Sequence, residues 1–220
     1  MKILLATAAS GDVAWGAAHG MLDGVLTSPE LLVQEAARDT RAHLLELCRL
    51  VHGPIFAAVQ ELDTTRAYRD GKELAKLSDQ IIVQLPLVEE TLGAMRRLHA
   101  DGIRVACTHV FNTAQALVAV RAGASTVVTA LDQLDAAGHD GVGVVRDIRA
   151  AFDGSSAECD VIAVNPASPT QFGACAMAGA DGVALSADLC RSLLLHPLTD
   201  RGVEQFIGDV ARLRRSWPTS

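Results

Sequence analysis

A chain of 220 residues fits one domain with a large buried core and lies near the lower size limit for a barrel of eight βα units. Half of the residues are apolar, 20% are charged and only 4% are aromatic, which excludes a disordered chain and calls for a core of Ala, Val, Leu and Ile. The net charge of −7 and the lack of an extended Lys/Arg cluster argue against a nucleic-acid or anionic-membrane surface, so a small molecule is the expected partner.

The first apolar run, Ile3–Leu5, follows Lys2 and is broken by Thr7, Ser10 and Asp12. It is too short for the core of a signal peptide and reads as a buried first strand. Seven further runs follow: Gly24–Leu26, Ile55–Val59, Ile81–Leu85, Val105–Cys107, Thr126–Val128, Val161–Val164 and Gly182–Leu185. Each precedes a stretch with helical spacing, and from the third run onward the starts lie roughly 20 to 35 residues apart, as βα repeats require. Unalternating apolar runs are expected of strands covered on both faces. The prediction is a single-domain (β/α)8 TIM barrel over residues 1–220; even spacing and the absence of a Gly-rich phosphate loop favour it over a doubly wound sheet.

Helix signals agree with this order. Ser28-Pro29-Glu30 has a cap, a first-turn proline and a dipole-complementing acid, and predicts a long helix after the second strand. Leu92, Met95, Leu98 and His99 share one face of a helix that ends at Asp101-Gly102, and glycine closes two others at Ala122-Gly123-Ala124 and Ala178-Gly179-Ala180. Gly138-His139-Asp140-Gly141 reads as a turn. Residues 203–217 form an extra amphipathic helix carrying Phe206, Ile207, Val210 and Leu213, with Arg212, Arg214 and Arg215 near its end; it either caps the barrel or docks on another subunit. No window reaches the ~20 apolar residues that span a bilayer. The five cysteines, Cys48, Cys107, Cys159, Cys175 and Cys190, are widely spaced in apolar contexts and read as buried thiols of a cytoplasmic protein, with Cys107 facing the helices.

In such a barrel the chemistry gathers where strands end. Those positions hold Thr27 and Ser28 after the second run, Glu61 after the third, Gln84 on the fourth, Thr108 and His109 after the fifth, Asp132 and Gln133 after the sixth, Asn165 after the seventh and Ser186 after the eighth. Histidine suits general acid or base work near neutral pH, so His109 is the leading catalytic candidate, against a structural or surface role; Glu61 and Asp132 are candidate carboxylates or solvated loop residues. No ligand motif of the HxH or HxxE type accompanies His109, Glu61 or Asp132 at the strand ends, and neither a metal nor a cofactor is expected. Thr27, Ser28, Gln84, Thr108, Gln133, Asn165 and Ser186 form a polar set able to bind hydroxyls, carbonyls or amides without net charge.

The stretches GVLTSPELL (24–32), IIVQLPLVEETLGAMRRLHADGIRVACTHVFNTAQALVAVRAGAS (81–125), ASPTQ (167–171) and AGADGVALS (178–186) resemble the transaldolase family, most closely its short fructose-6-phosphate aldolase-like members. The resemblance spans nearly the whole chain. It implies a Schiff-base lysine on the fourth strand, but that position falls on Gln84. The family's first-strand aspartate falls on Ala6, its asparagine after the second strand on Ser28 and its third-strand glutamine on Ala58. A catalytic tyrosine falls on Ala130, a phosphate-binding arginine on Gln133 and a phosphate-binding serine on Asn165. Thr27 and Thr108 match. The resemblance also implies a homo-oligomer joined through the terminal helix.

A carboxamide cannot form an imine, and the only lysines are Lys2, Lys72 and Lys76, placed by the sequence away from the site. Three functions follow. The first is a lyase- or transferase-like enzyme without imine chemistry, acting on a small, polar, non-phosphorylated metabolite; the second is a non-catalytic barrel binding a metabolite or protein; the third is residual aldol or transaldol activity by another route.

Overall fold

The computed structural model describes residues 1–35, 39–155 and 157–216. Eight strands, β1 (Lys2–Ala6), β2 (Gly24–Leu26), β3 (Ile55–Ala58), β4 (Ile81–Pro86), β5 (Val105–Thr108), β6 (Thr126–Ala130), β7 (Asp160–Val164) and β8 (Gly182–Leu185), close in sequence order into a barrel. All neighbouring pairs are parallel, and β8 returns to β1 through Lys2↔Gly182 to Leu5↔Leu185. The (β/α)8 architecture therefore stands as the strand pattern predicts. Through its first half run the helices α1 (Ser10–Ala18), α2 (Pro29–Gln34), α3 (Thr40–Leu50), α4 (Thr64–Ala75) and α5 (Glu89–Ala100). The second half carries α6 (Thr113–Arg121), α7 (Leu131–Ala136), α8 (Gly141–Ser155), α9 (Pro169–Met177), α10 (Ala187–Ser192) and α11 (Pro197–Ser216).

Strand alternation divides the core in two. Leu4, Leu26, Phe56, Ile82, Ala106, Val128, Ile162, Val164 and Ala184 point inward and plug the barrel, while Leu5, Val25, Ile55, Val83, Cys107, Val127, Val161 and Val183 face the helices. Phe56 is the bulkiest inward residue. Above this plug, at the C-terminal ends, the inward positions hold only Ala58 and Ala130 on β3 and β6, so the barrel is open there.

Caps set the helix boundaries. Ser28, Asp39, Asp63, Asn112, Ser168 and Ser186 each accept a backbone N–H of the first turn that follows them. The long helix expected after Ser28 is instead the six-residue α2, and α3 starts anew at Thr40 because the Asp39 carboxylate takes the Arg41 and Ala42 N–H groups. Gly123 and Gly179 end α6 and α9 with φ of 96° and 86°, the left-handed turn that returns the chain to the next strand. The terminal helix begins earlier than its apolar period suggests, at Pro197, and Trp217 and the side chains of Arg214 and Arg215 lie outside the described residues. It does not cap the barrel mouth: Leu198, Val203, Phe206, Ile207 and Leu213 are all at least 50% exposed. Among the described residues no helix is long and apolar enough to cross a membrane.

The tightest backbone approach lies under β2 and β3. A Cβ on Gly53 would sit 1.5 Å from the Asp23 carbonyl oxygen, whereas one on Gly173 in α9 meets nothing within 4 Å. Gly53→Ala is expected to destabilise the protein by about 2 kcal/mol or more, and Gly173→Ala to raise stability by up to ~1 kcal/mol through helix propensity. Urea unfolding midpoints check both; a neutral Gly53→Ala would contradict this packing.

Candidate functional site

The open end of the barrel is a cavity of about 460 Å³ bounded by the ends of β2 to β7. Its floor is Leu26, Ala58, Val128, Ala130 and Val164; its polar wall is Thr27, Ser28, Gln84, Thr108, His109, Gln133 and Asn165; its rim adds Glu30, Leu62 and Phe111.

Gln84 shares the inward face of β4 with Ile82 and is 4% exposed. Its Nε2 donates to the Thr27 carbonyl at 2.9 Å, reaching over the methyl group of Ala58 on the strand between them. Thr27, fully buried, donates its hydroxyl to the Phe56 carbonyl at 2.7 Å. Among the described residues no hydrogen bond is made to Gln84 Oε1, so the amide ties down one end and offers an acceptor to the cavity. Ser28 Oγ lines the cavity but is engaged in capping, accepting from Leu31 N at 3.2 Å.

Two non-glycine residues adopt left-handed φ, His109 and Asn165, both at 58° and both immediately after a strand. This conformation costs of order 1 kcal/mol and is most accessible to Asn, Asp and His. The turn at His109 brings Nδ1 to 3.0 Å from Thr108 Oγ1 and sets the ring edge-on to Phe111 at 6.3 Å. Thr108 does face inward, on the side of Ala106. The turn at Asn165 sends Nδ2 to Asp132 Oδ2 at 3.1 Å.

The residues singled out from sequence are thus brought together unequally. Thr27, Ser28, Gln84, Thr108, His109, Gln133 and Asn165 line one cavity. Asp132 reaches it only through Asn165, Glu61 lies outside it beside Arg66 at 3.6 Å, and Ser186 is spent capping α10 by accepting from Leu189 N at 3.2 Å. Glu30, Leu62 and Phe111 were not singled out as site residues; Glu30 reads as a helix-dipole acid, although its place two residues past a strand-end position was a usable signal.

Residues 17–216 match the family profile described as Transaldolase/Fructose-6-phosphate aldolase. The chain belongs to this family. It is 38% identical to a probable transaldolase of Hyphomonas neptunium over 212 residues, which cover 96% of this chain and 98% of that protein. A probable transaldolase of Prosthecochloris aestuarii is 33% identical over 98% of this chain and 100% of its own length, and one of Clostridium tetani is 35% identical with the same coverage.

In this family member no lysine or arginine among the described residues lines the cavity. Lys2 Nζ pairs with Asp160 at 2.8 Å where β1 and β7 begin, at the opposite end of the barrel; Lys72 pairs with Asp101 at 2.9 Å and Lys76 with Glu73 at 2.6 Å on the outer helices. Among the described residues no group of three or more His, Cys, Asp and Glu side chains is placed to hold a metal ion.

A thiol nucleophile is also poorly served. Burial pushes Cys107 up to about 12, with Cys159 adding to the effect; burial also takes Cys159 to about 12 and Cys175 to about 11. These thiols stay protonated below those values, so a neutral-pH thiol reagent is expected to leave all three unmodified in the native protein and to label them after denaturation. Rapid native labelling of Cys107 would contradict the assigned burial. The same shifts make stability fall as pH rises from about 9 toward 12, where the unfolded chain ionises its thiols and the folded chain does not.

Proposed function

We propose that this chain is a diverged transaldolase/aldolase-type barrel that works on a small, polar, non-phosphorylated metabolite without forming a Schiff base. The single observation carrying this reading is Gln84, a carboxamide fixed to the Thr27 carbonyl at the buried centre of a cavity without a lysine. An imine needs a nucleophilic amine to condense with the substrate carbonyl and then act as an electron sink, and an amide nitrogen has no such lone pair. Gln133 and Asn165 are neutral and Asn165 already leans on a carboxylate, which supports the loss of phosphate binding as well.

The Thr108–His109 couple supplies acid–base chemistry to the cavity. In the tautomer protonated at Nε2, His109 Nδ1 accepts the Thr108 hydroxyl proton and leaves the Thr108 lone pairs free for a ligand O–H. A proton leaving the ligand oxygen would pass to Thr108 as the Thr108 proton moves to His109, and would return by the same path. Gln84 Oε1 would receive a second ligand donor and fix its orientation. In a retro-aldol step the hydroxyl that gives its proton to Thr108 would lie β to the ligand's carbonyl. As that proton leaves, the C–O bond becomes a carbonyl, the Cα–Cβ bond breaks, the electron pair passes into an enolate, and the proton held on His109 returns to the enolate carbon.

A second reading, a binding barrel without catalysis, is favoured by how much of the polar wall serves the fold: Thr27, Ser28 and the amide of Gln84 all hold backbone groups. The transaldol activity in the relatives' names is the reading that Gln84 opposes. Ligand-dependent thermal shift with unphosphorylated sugars and polyols tests the first two together, because specific binding raises Tm. The expected result is a shift in the wild type that Gln84→Leu and Thr108→Val diminish. His109→Ala should keep the shift and lower any conversion followed by NMR about 100-fold. A ligand that binds and is returned unchanged supports the binding barrel instead.

The same reading includes a homo-oligomer of a protein working in the cytoplasm, joined through the exposed apolar face of α11. Light scattering is expected to give a multimer that Phe206→Glu with Ile207→Glu dissociates; a wild-type monomer would contradict it.

A further inference from the structure

The formal charge that the cavity lining carries is negative. Among the described residues the lining contains one carboxylate, Glu30, and no lysine or arginine. Glu30 has no ion pair or side-chain hydrogen bond among them, unlike Glu61, which has Arg66. On the opposite wall Asn165 hands its amide to Asp132, a second carboxylate without a cationic partner among the described residues. The start of α2 is a poor anion cradle: Pro29 has no N–H, Leu31 N–H is taken by Ser28 Oγ and Leu32 N–H by the Ser28 carbonyl, which leaves only the N–H of Glu30, whose own side chain is anionic. Between these walls Gln84, 96% buried by its 4% exposure, presents an unpartnered acceptor oxygen.

We propose that this cavity selects a small hydroxylated amine, with the ligand's ammonium beside Glu30 and one of its hydroxyls donating to Gln84 Oε1. The inference rests on the reading of the cavity as a live polar pocket and adds the charge of what enters it. A neutral polyol satisfies only Gln84, Thr108 and Asn165. A phosphate monoester brings two negative charges beside Glu30, with Asp132 behind Asn165, and among the described residues no guanidinium or ammonium lines the cavity to offset them. The hydroxylated amine alone satisfies both the acceptor in the middle and the charge at the rim.

Three probes with one carbon skeleton isolate the effect: sorbitol, glucamine, which is sorbitol with a terminal ammonium, and sorbitol 6-phosphate. Each is titrated at pH 7 and low salt, by calorimetry or thermal shift, into the full chain and into Glu30→Gln. Glu30 is exposed, so the variant should fold as the wild type does, which its unliganded Tm verifies. Glucamine is expected to bind about 10-fold tighter than sorbitol, with sorbitol 6-phosphate weakest, and the advantage should shrink as salt is added. Glu30→Gln should bring glucamine down to the sorbitol level and leave sorbitol unchanged. Binding of sorbitol with no gain for glucamine, or a gain that survives Glu30→Gln, overturns the charge selection and leaves the pocket standing. Sorbitol 6-phosphate binding as tightly as glucamine overturns it too. Failure of all three to bind removes both this inference and the reading on which it rests.

Discussion

The upper half of the barrel is organised around one hydrogen bond, from Gln84 Nε2 to the carbonyl of Thr27. The β2–β3 ladder pairs Leu26 with Phe56 and ends, whereas β3–β4 continues to Ala58↔Gln84. Thr27 is left just past the ladder and fully buried, and its carbonyl needs a donor from elsewhere; an orphan of this kind costs about 1–3 kcal/mol. Gln84 supplies the donor from two strands away. It can do so because the strand between them carries alanine at that level, and a longer side chain on β3 would fill the space through which the amide passes. Gln84 is therefore both a structural tie and the most central polar group of the cavity.

The site's other features follow from how the neighbouring strands end. His109 and Asn165 leave β5 and β7 through left-handed turns, and each turn directs a side chain to a partner at the rim, Thr108 in one case and Asp132 in the other. Left-handed backbone at these two strand ends costs of order 1 kcal/mol each, and the hydrogen bonds that the turns allow offset part of it. The cationic side chains meanwhile serve elsewhere. Lys2 closes the N-terminal end with Asp160, Arg149 bridges Asp153 and Asp181, and Arg191 joins Asp12 across the β1–β8 seam. Among the described residues the cavity lining keeps one carboxylate, Glu30, and these cations are paired away from it.

Much of this was legible in the sequence. Eight apolar runs give eight strands in the expected order, because strands buried on both faces leave an unmistakable composition, and Cys107 faces the helices as alternation requires. The region after Ser28 was misread for a local reason: the apolar period continues while the Asp39 side chain captures two N–H groups and restarts the helix. Strand-end logic found seven of the polar residues that line the cavity. It also included Ser186, Glu61 and Asp132, whose side chains are turned to a cap, to Arg66 and to Asn165. What sequence cannot convey is direction after a strand stops, since one left-handed residue re-aims everything behind it. Glu30 was missed because a helix-capping acid and a cavity-lining acid look alike until the helix is placed.

The central claim is that this member of the transaldolase/fructose-6-phosphate aldolase family holds its cavity with a carboxamide and works without an imine. It is tested most directly by incubating the protein with dihydroxyacetone or fructose 6-phosphate, reducing with borohydride and weighing the intact chain. The account predicts an unchanged mass, with Lys2, Lys72 and Lys76 all unmodified. A mass increase corresponding to a reduced adduct on any lysine would contradict it.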